Sequence, residues 1–424
     1  MTAVATLDAV LEQPTADLSL PDERPARIAS VRLASVDFLR GVVMILMALD
    51  HARFYFSGDH AVPQFLQNSS PALFFTRWIT HFCAPTFFFL AGTSAFLALS
   101  RGGRTLSQIS KFFWTRGLWL VFLAFTVVDF AAAGIFPHGH GDVIWCLGVS
   151  MVLMALLIRL PIPAIAALGV VVIVGHNLLD AFNPEACGRF AIVWSVLHTP
   201  GMYPVVGRTD FFTLFTLLPW AAVMAVGYAC GPIFLRPDRR KIMFWLGFSV
   251  TAAFILLRAV NHYGNSSWST VPHSYAAGPW TTQSTVVMTI ASFLNVRKYP
   301  ASLDFLLMTL GPMLMALAAL DRLRPQPIWA RFVLVFGRVP LFFYVLHLLL
   351  LRNMAIWVSW ATHQNADWLQ YGGPLMFLAP PSYGYSLPFI YAMWLTAVVA
   401  LYAPCKLFMN VKQQHPDWWW LRYL

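Results

Sequence analysis

The residues best placed to do chemistry lie in one stretch, Ser35 to Phe56, which reads SVDFLRGVVMILMALDHARFYF. It is mostly apolar and long enough to cross a bilayer, yet it carries Asp37, Arg40, Asp50, His51 and Arg53. A neutral imidazole can take a proton from a hydroxyl or amine, or carry a transferred group itself. A guanidinium can grip a phosphate or a carbonyl oxygen with its fork of donors. Arg40 and His51 are eleven positions apart. On a helix that is three turns plus about 20°, so they share a face, separated by roughly 16 Å along the axis. Asp37 joins the same stripe one turn before Arg40. Asp50 points about 100° away from His51, so it orients His81, bonds to a neighbouring backbone or ends the helix at the outer interface. Ionisable groups inside a spanning helix are expensive and normally face a protein interior or a water-filled cavity.

Other stretches add to this set. In RWITHFCAPTFFFLAGTSAFLAL, Arg77 and His81 are one turn apart and Pro85 follows. A proline there kinks the helix beside His81. His51 and His81 fall at similar depth if adjacent spans run in opposite directions, and Asp50 is the acid nearest to them. GRVPLFFYVLHLLLLR places Tyr344 and His347 one turn apart in an apolar run, where His347 needs a partner in the core or on a substrate. PHGHGD offers His138, His140 and Asp142, a low-specificity metal pattern, and no metal is expected. Phosphate-binding loops, nucleophile elbows and HExxH motifs are absent from the sequence.

The elements that must position these residues are membrane helices. The chain is 58% hydrophobic and 11% charged, which excludes an ordinary soluble domain. Its net charge of +10 does not indicate nucleic acid, because the basic residues sit in short loops between apolar runs. The fold class expected is all-α, polytopic, with about ten spans. They fall near 34–56, 72–99, 112–135, 143–159, 162–181, 210–233, 242–260, 301–320, 331–361 and 388–410.

The basic loops RGGRTLSQISK, RPDRRK and DRLRPQPIWAR alternate with base-poor ones, which puts both termini in the cytoplasm. Arg297 and Lys298 break this rule on the expected outer side. Residues 1–31 read as a disordered cytoplasmic tail without a cleavable signal peptide, 32–410 as the membrane domain and 411–424 as a second cytoplasmic tail. The long outer segments 182–209 and 261–300 read equally as functional lids or as caps over helix ends. Five scattered cysteines suggest no disulfide framework.

SVDFLRGVVMILMALDHAR resembles the opening of the membrane acyltransferase superfamily, in which an Arg and a His separated by ten residues occupy the first helix. THFCAPTFFFLAGTSAFL, LPWAAVMAVGYACG, YPASLDFLLMTLGP and FGRVPLFFYVLHLLL resemble one branch in particular, the bacterial relatives of heparan-alpha-glucosaminide N-acetyltransferase. The resemblance runs from about Arg32 to Leu350. It implies a polytopic acyltransferase of the bacterial inner membrane. Such an enzyme takes an acetyl or other acyl group from cytoplasmic acyl-CoA, as co-substrate, and delivers it to a sugar or glycan acceptor outside. The lysosomal enzyme has Asn where this chain has His51, and its catalytic His lies in the loop that follows. The nearest loop histidine here is His60.

The catalytic candidates are therefore His51, His81, Asp50 and His60. The candidates for holding acyl-CoA are Arg40, Asp37, Arg77, Tyr344 and His347. The expected partners are acyl-CoA, the glycan acceptor and membrane lipids; no nucleic acid is expected, and a homo-oligomer stays open. A proton-coupled transporter or exporter would also account for buried charge, though no inverted repeat is evident.

Overall fold

The computed structural model describes residues 33–57, 66, 69–100, 105–134, 139–182, 187–188, 190–205, 209–265, 278–322, 327–371, 379–380 and 382–422. His60 and His138 lie outside the described residues. From Ala34 on, the chain forms one compact unit.

In chain order the helices begin with α1 (Ala34–Phe56), α2 (Pro71–Ile79), α3 (Cys83–Ser100), α4 (Leu106–Leu123) and α5 (Asp129–Ala133). Next come α6 (Val143–Leu157), α7 (Ile162–Gly175), α8 (Ala191–Leu197), α9 (Leu217–Ala229) and α10 (Arg239–Val260). The rest are α11 (Val286–Leu294), α12 (Leu303–Leu320), α13 (Ile328–Arg338), α14 (Pro340–Ala361), α15 (Asp367–Tyr371) and α16 (Leu387–Gln414). Strands β1 (His140–Gly141), β2 (Gly201–Val205) and β3 (Thr209–Thr213) form a small sheet in the order β1-β3-β2. β1 pairs parallel to β3, with His140 opposite Phe212, and β2 pairs antiparallel to β3.

Among the described residues, eight helical segments are long and apolar enough to cross a membrane. Their outer faces are apolar, with Val171, Leu256 and Leu407 exposed on α7, α10 and α16. That surface suits lipid, since every backbone polar group of a helix is satisfied within the segment. The other two expected spans are helices as well. α1 carries more charge than a plain apolar span, and α6 is only 15 residues long.

Three expectations change. The single span at 331–361 is two helices, because Pro340 disfavours helical backbone at Val339, which leaves the α region. The expected span 210–233 starts only at Leu217, since Thr209–Thr213 is strand β3. Helix α16 runs past residue 410 to Gln414, into what read as tail. Between α2 and α3 the chain tightens into a 3₁₀ turn at Thr80–Phe82. Pro85 has no N–H to offer the carbonyl of His81, so the irregularity falls beside His81 as the sequence suggests.

α1 is the centre of the bundle and packs against α3, α12, α13, α14 and α16. Glycines let helix backbones meet closely, the small-residue packing typical of membranes. A Cβ at Gly41 would strike the Val333 carbonyl, and one at Gly337 would strike the Asp37 carbonyl, so α1 and α13 touch backbone to backbone. Gly92 and Gly227 do the same for α3 and α9, Gly117 and Gly148 for α4 and α6, and Gly247 and Gly311 for α10 and α12.

A fully buried polar knot ties described residues of the two long segments to the helices beside them. Asp180 accepts from Asn177 Nδ2 at 3.1 Å, sits 2.9 Å from His198 Nε2 and pairs with Arg297. Arg258 lies 3.7 Å from Asp304 and donates to the carbonyls of Phe293 and Asn295 at 3.0 and 2.9 Å. Asn177 Oδ1 accepts from the backbone N–H of Leu303 at 2.8 Å, which ties the knot to the start of α12.

Candidate active site

The last turns of α1 and the middle of α14 bring His51 and His347 together. His51 Nδ1 lies 2.6 Å from His347 Nε2, and the rings stack with centroids 4.9 Å apart. The tautomers follow from one carbonyl. His347 Nδ1 lies 2.9 Å from Phe343 O, which can only accept, so Nδ1 carries the proton. Neutral His347 then has its lone pair on Nε2, and His51 must donate from Nδ1. The remaining lone pair of neutral His51 is on Nε2, which makes no hydrogen bond among the described residues. His347 is fully buried, whereas His51 is only partly so. The pair therefore presents one basic nitrogen, held in a fixed tautomer by a buried partner. A partner on the far ring nitrogen also orients metal-bound and catalytic imidazoles.

Tyr344 stands edge-on to both rings, at 6.2 Å from His51 and 5.5 Å from His347. Its hydroxyl points to Asp142 Oδ2 at 3.4 Å. Asp142 caps α6 by accepting from Trp145 N–H at 2.8 Å. It lies in the loop ahead of the helix, outside the spanning segments, and burial pushes its carboxyl up to about 7.

Asp50 faces away from His51, as helical geometry requires. Its oxygens pair with Arg77 at 2.5 Å and Arg53 at 3.2 Å. Asp50 therefore does not orient His81. Arg77, a candidate for acyl-CoA, is buried in this pair and also bonds to Thr80 Oγ1 at 3.3 Å. His81 is buried against the Phe305 ring at 5.3 Å, and neither of its ring nitrogens has a hydrogen-bond partner among the described residues. The two imidazoles that meet are thus His51 and His347, not His51 and His81.

Arg40 is near the other end of α1. It donates to Ser94 Oγ at 2.5 Å and to Leu90 O at 3.2 Å, and lies 3.7 Å from Asp37. Asp37 also receives Arg338 at 4.0 Å. These contacts are a clasp between α1, α3 and α13, the local ion pair that is the plainer role for Arg40. Ser94, Arg53 and Lys298 are not among the sequence-predicted site residues. Lys298 had a signal, as a cation in a stretch expected on the base-poor side. Arg53 had one as well, as an ionisable group in the first span; Ser94 had none.

An apolar multi-helix bundle with a histidine pair sunk among its spans has the architecture of an integral membrane protein. The model of the heparan-alpha-glucosaminide N-acetyltransferase catalytic region matches residues 32–267. This is more than half of the 424 residues, and the chain belongs to that family of membrane acyltransferases. No curated protein matches the chain. His51, Arg77 and His81 lie inside the matched stretch, while His347 and Lys298 lie beyond it.

Proposed function

We propose that the protein moves an acetyl group from cytoplasmic acetyl-CoA to a sugar or glycan acceptor on the outer side of a bacterial inner membrane. The observation that carries this reading is the His51–His347 pair, a single open imidazole nitrogen in a chain of acetyltransferase family. His51 Nε2 acts on the acceptor hydroxyl or amine as general base, or takes the acetyl group first and passes it on. In both routes His347 accepts the Nδ1 proton's hydrogen bond and fixes which nitrogen reacts. Tyr344 borders the rings and supplies a hydroxyl beside them. His81, with both nitrogens unpartnered, is the second imidazole available to a bound substrate. Arg40 and Asp37 hold α1 in place, which makes them positioning residues more than donor contacts. The ten helices cross the membrane with both termini in the cytoplasm, so His51 lies in the outer half.

Purified full-length protein should bind acetyl-CoA and transfer radiolabelled acetyl to a glucosamine-type acceptor. Absence of acetyl-CoA binding would sink the reading and leave a permease as the better account, since a permease has no use for the donor. Reporter fusions after Arg240 and Arg324 should score as cytoplasmic and fusions within 182–209 as external. The opposite pattern would reverse the direction of transfer.

A further inference from the structure

Lys298 is a cation without an anion. It is 5% exposed, and its Nζ makes no hydrogen bond or ion pair among the described residues. It meets only ring faces, with centroids 5.9 Å away at Phe215 and 5.2 Å at Tyr299. An ammonium removed from water is costly unless it is paired. Aromatic faces relieve part of that cost but supply no formal negative charge.

The surroundings do not supply one either. Phe215 packs on Trp220, Trp220 on Phe305, and Phe305 on the buried His81 ring. Tyr299 reaches Arg77, and Arg77 holds Asp50. Lys298 thus lies within electrostatic range of Asp50, His51 and His81. In this cluster Asp50 is already shared between Arg53 and Arg77. Three cations, Arg53, Arg77 and Lys298, stand against one carboxylate. Among the described residues, both ring nitrogens of His81, which is 3% exposed, and the buried Arg53 Nε lack hydrogen-bond partners. Buried donors and charges in folded proteins are almost always matched, so a cluster with an excess of both awaits a group from outside.

We infer that Lys298 Nζ and the His81 ring form a socket for an anionic oxygen group, a carboxylate or a phosphate, on a substrate bound beside His51. The inference deepens the acyl-transfer reading and rests on it for the word substrate. The group belongs to the acceptor or is a phosphate of the acyl-CoA. In both cases Lys298 supplies the charge, and His81 donates one N–H in a neutral tautomer. The Asp50–Arg53–Arg77 set holds the neighbouring wall and keeps the field positive.

The test uses purified full-length protein in detergent, without coenzyme A, titrated with inorganic phosphate and with acetate at constant ionic strength set by chloride. The melting temperature of the wild type should rise saturably with at least one of the two anions. Lys298→Met should weaken that anion's binding at least about 30-fold, as expected when one partner of a buried charge pair is removed. Lys298→Arg, which keeps the charge but moves it, should retain part of the effect. A wild type that neither anion stabilises beyond chloride overturns the socket, as does an equal shift in Lys298→Met.

Repeating the titration with saturating coenzyme A finds the source. A shift that disappears assigns the socket to a donor phosphate, and one that persists assigns it to the acceptor. Protein that binds the anions but not coenzyme A keeps the socket and overturns the donor reading, so the two failures are told apart.

Discussion

Two buried polar clusters in this protein are built from the same residue types and are finished differently. In the knot around Asp180, Asp180 is matched by Arg297 and Asp304 by Arg258, so acids and guanidinium groups balance in formal charge. Around the end of α1, Asp50 faces Arg53 and Arg77, and among the described residues Lys298 pairs with no acid and His51 keeps an open nitrogen. The first cluster is balanced in charge and fixes geometry, although Asp304 Oδ1 and both ring nitrogens of His176 lack hydrogen bonds among the described residues. The second carries an excess of positive charge that a bound group can complete. Burial alone therefore does not mark a functional site; uncompensated charge beside an open imidazole nitrogen does.

The comparison can be broken at either cluster. The largest effect is expected at His51. His51→Gln should lower acetyl transfer about 10²- to 10⁴-fold, while acetyl-CoA binding and the melting temperature stay close to wild type. Near-normal transfer by the folded variant would make the histidine pair structural and shift attention to His60. Asp180→Asn strikes the balanced cluster. Leaving Arg297 buried without its acid should cost about 3–5 kcal/mol of stability, seen as a lower melting temperature. Transfer by the folded fraction should remain well above that of His51→Gln. A variant stable but as inactive as His51→Gln would erase the distinction between the clusters.

The third effect is smaller. His347→Leu removes the acceptor that fixes the His51 tautomer, and losses at such orienting partners are typically about 10–100-fold. His347→Gln, whose amide oxygen can still accept from Nδ1, should recover part of the rate. Equal rates in the two variants would mean that His347 only fills space.

The smallest effect concerns Asp142. Its carboxyl titrates at about 7 in the folded protein because of burial, against about 3.9 in an unfolded chain. The folded state thus binds the proton more tightly. The stability this provides is complete below about pH 4 and is lost as pH rises through 7. Asp142→Asn keeps the helix cap and cannot ionise. Its melting temperature should fall less than that of the wild type between pH 5 and pH 8. Parallel curves would place the titration elsewhere.

The sequence made much of the fold legible, because long apolar runs and basic loops are read by composition alone. It also singled out Arg40, His51, His81, Tyr344 and His347, since an ionisable group in an apolar run stands out without any structure. Partner choice was not legible. His51 meets His347 rather than His81 because α14 packs on α1 at that level, a contact across 296 positions that no local spacing encodes. The break at Val339 was readable from Pro340 and was masked by the apolar run on both sides. Lys298 was visible only as an irregularity of the loop charges, and its lack of an acid is a property of the folded surroundings.

The glycine seam between α1 and α13 acts as an angular reference for the reacting nitrogen. Gly41 and Gly337 leave no side chain that could yield, so the rotation of α1 about its own axis is set there by backbone against backbone. His51 sits on the same rigid cylinder, about 15 Å further along at 1.5 Å per residue. With the imidazole some 6 Å off the helix axis, a turn of about 20° at the seam would swing it by roughly 2 Å. That exceeds the play in a hydrogen bond, so alignment of the histidine pair depends on two glycines that never approach it. A single added methyl at Gly41 would act at a distance, as a misset dial rather than a damaged part.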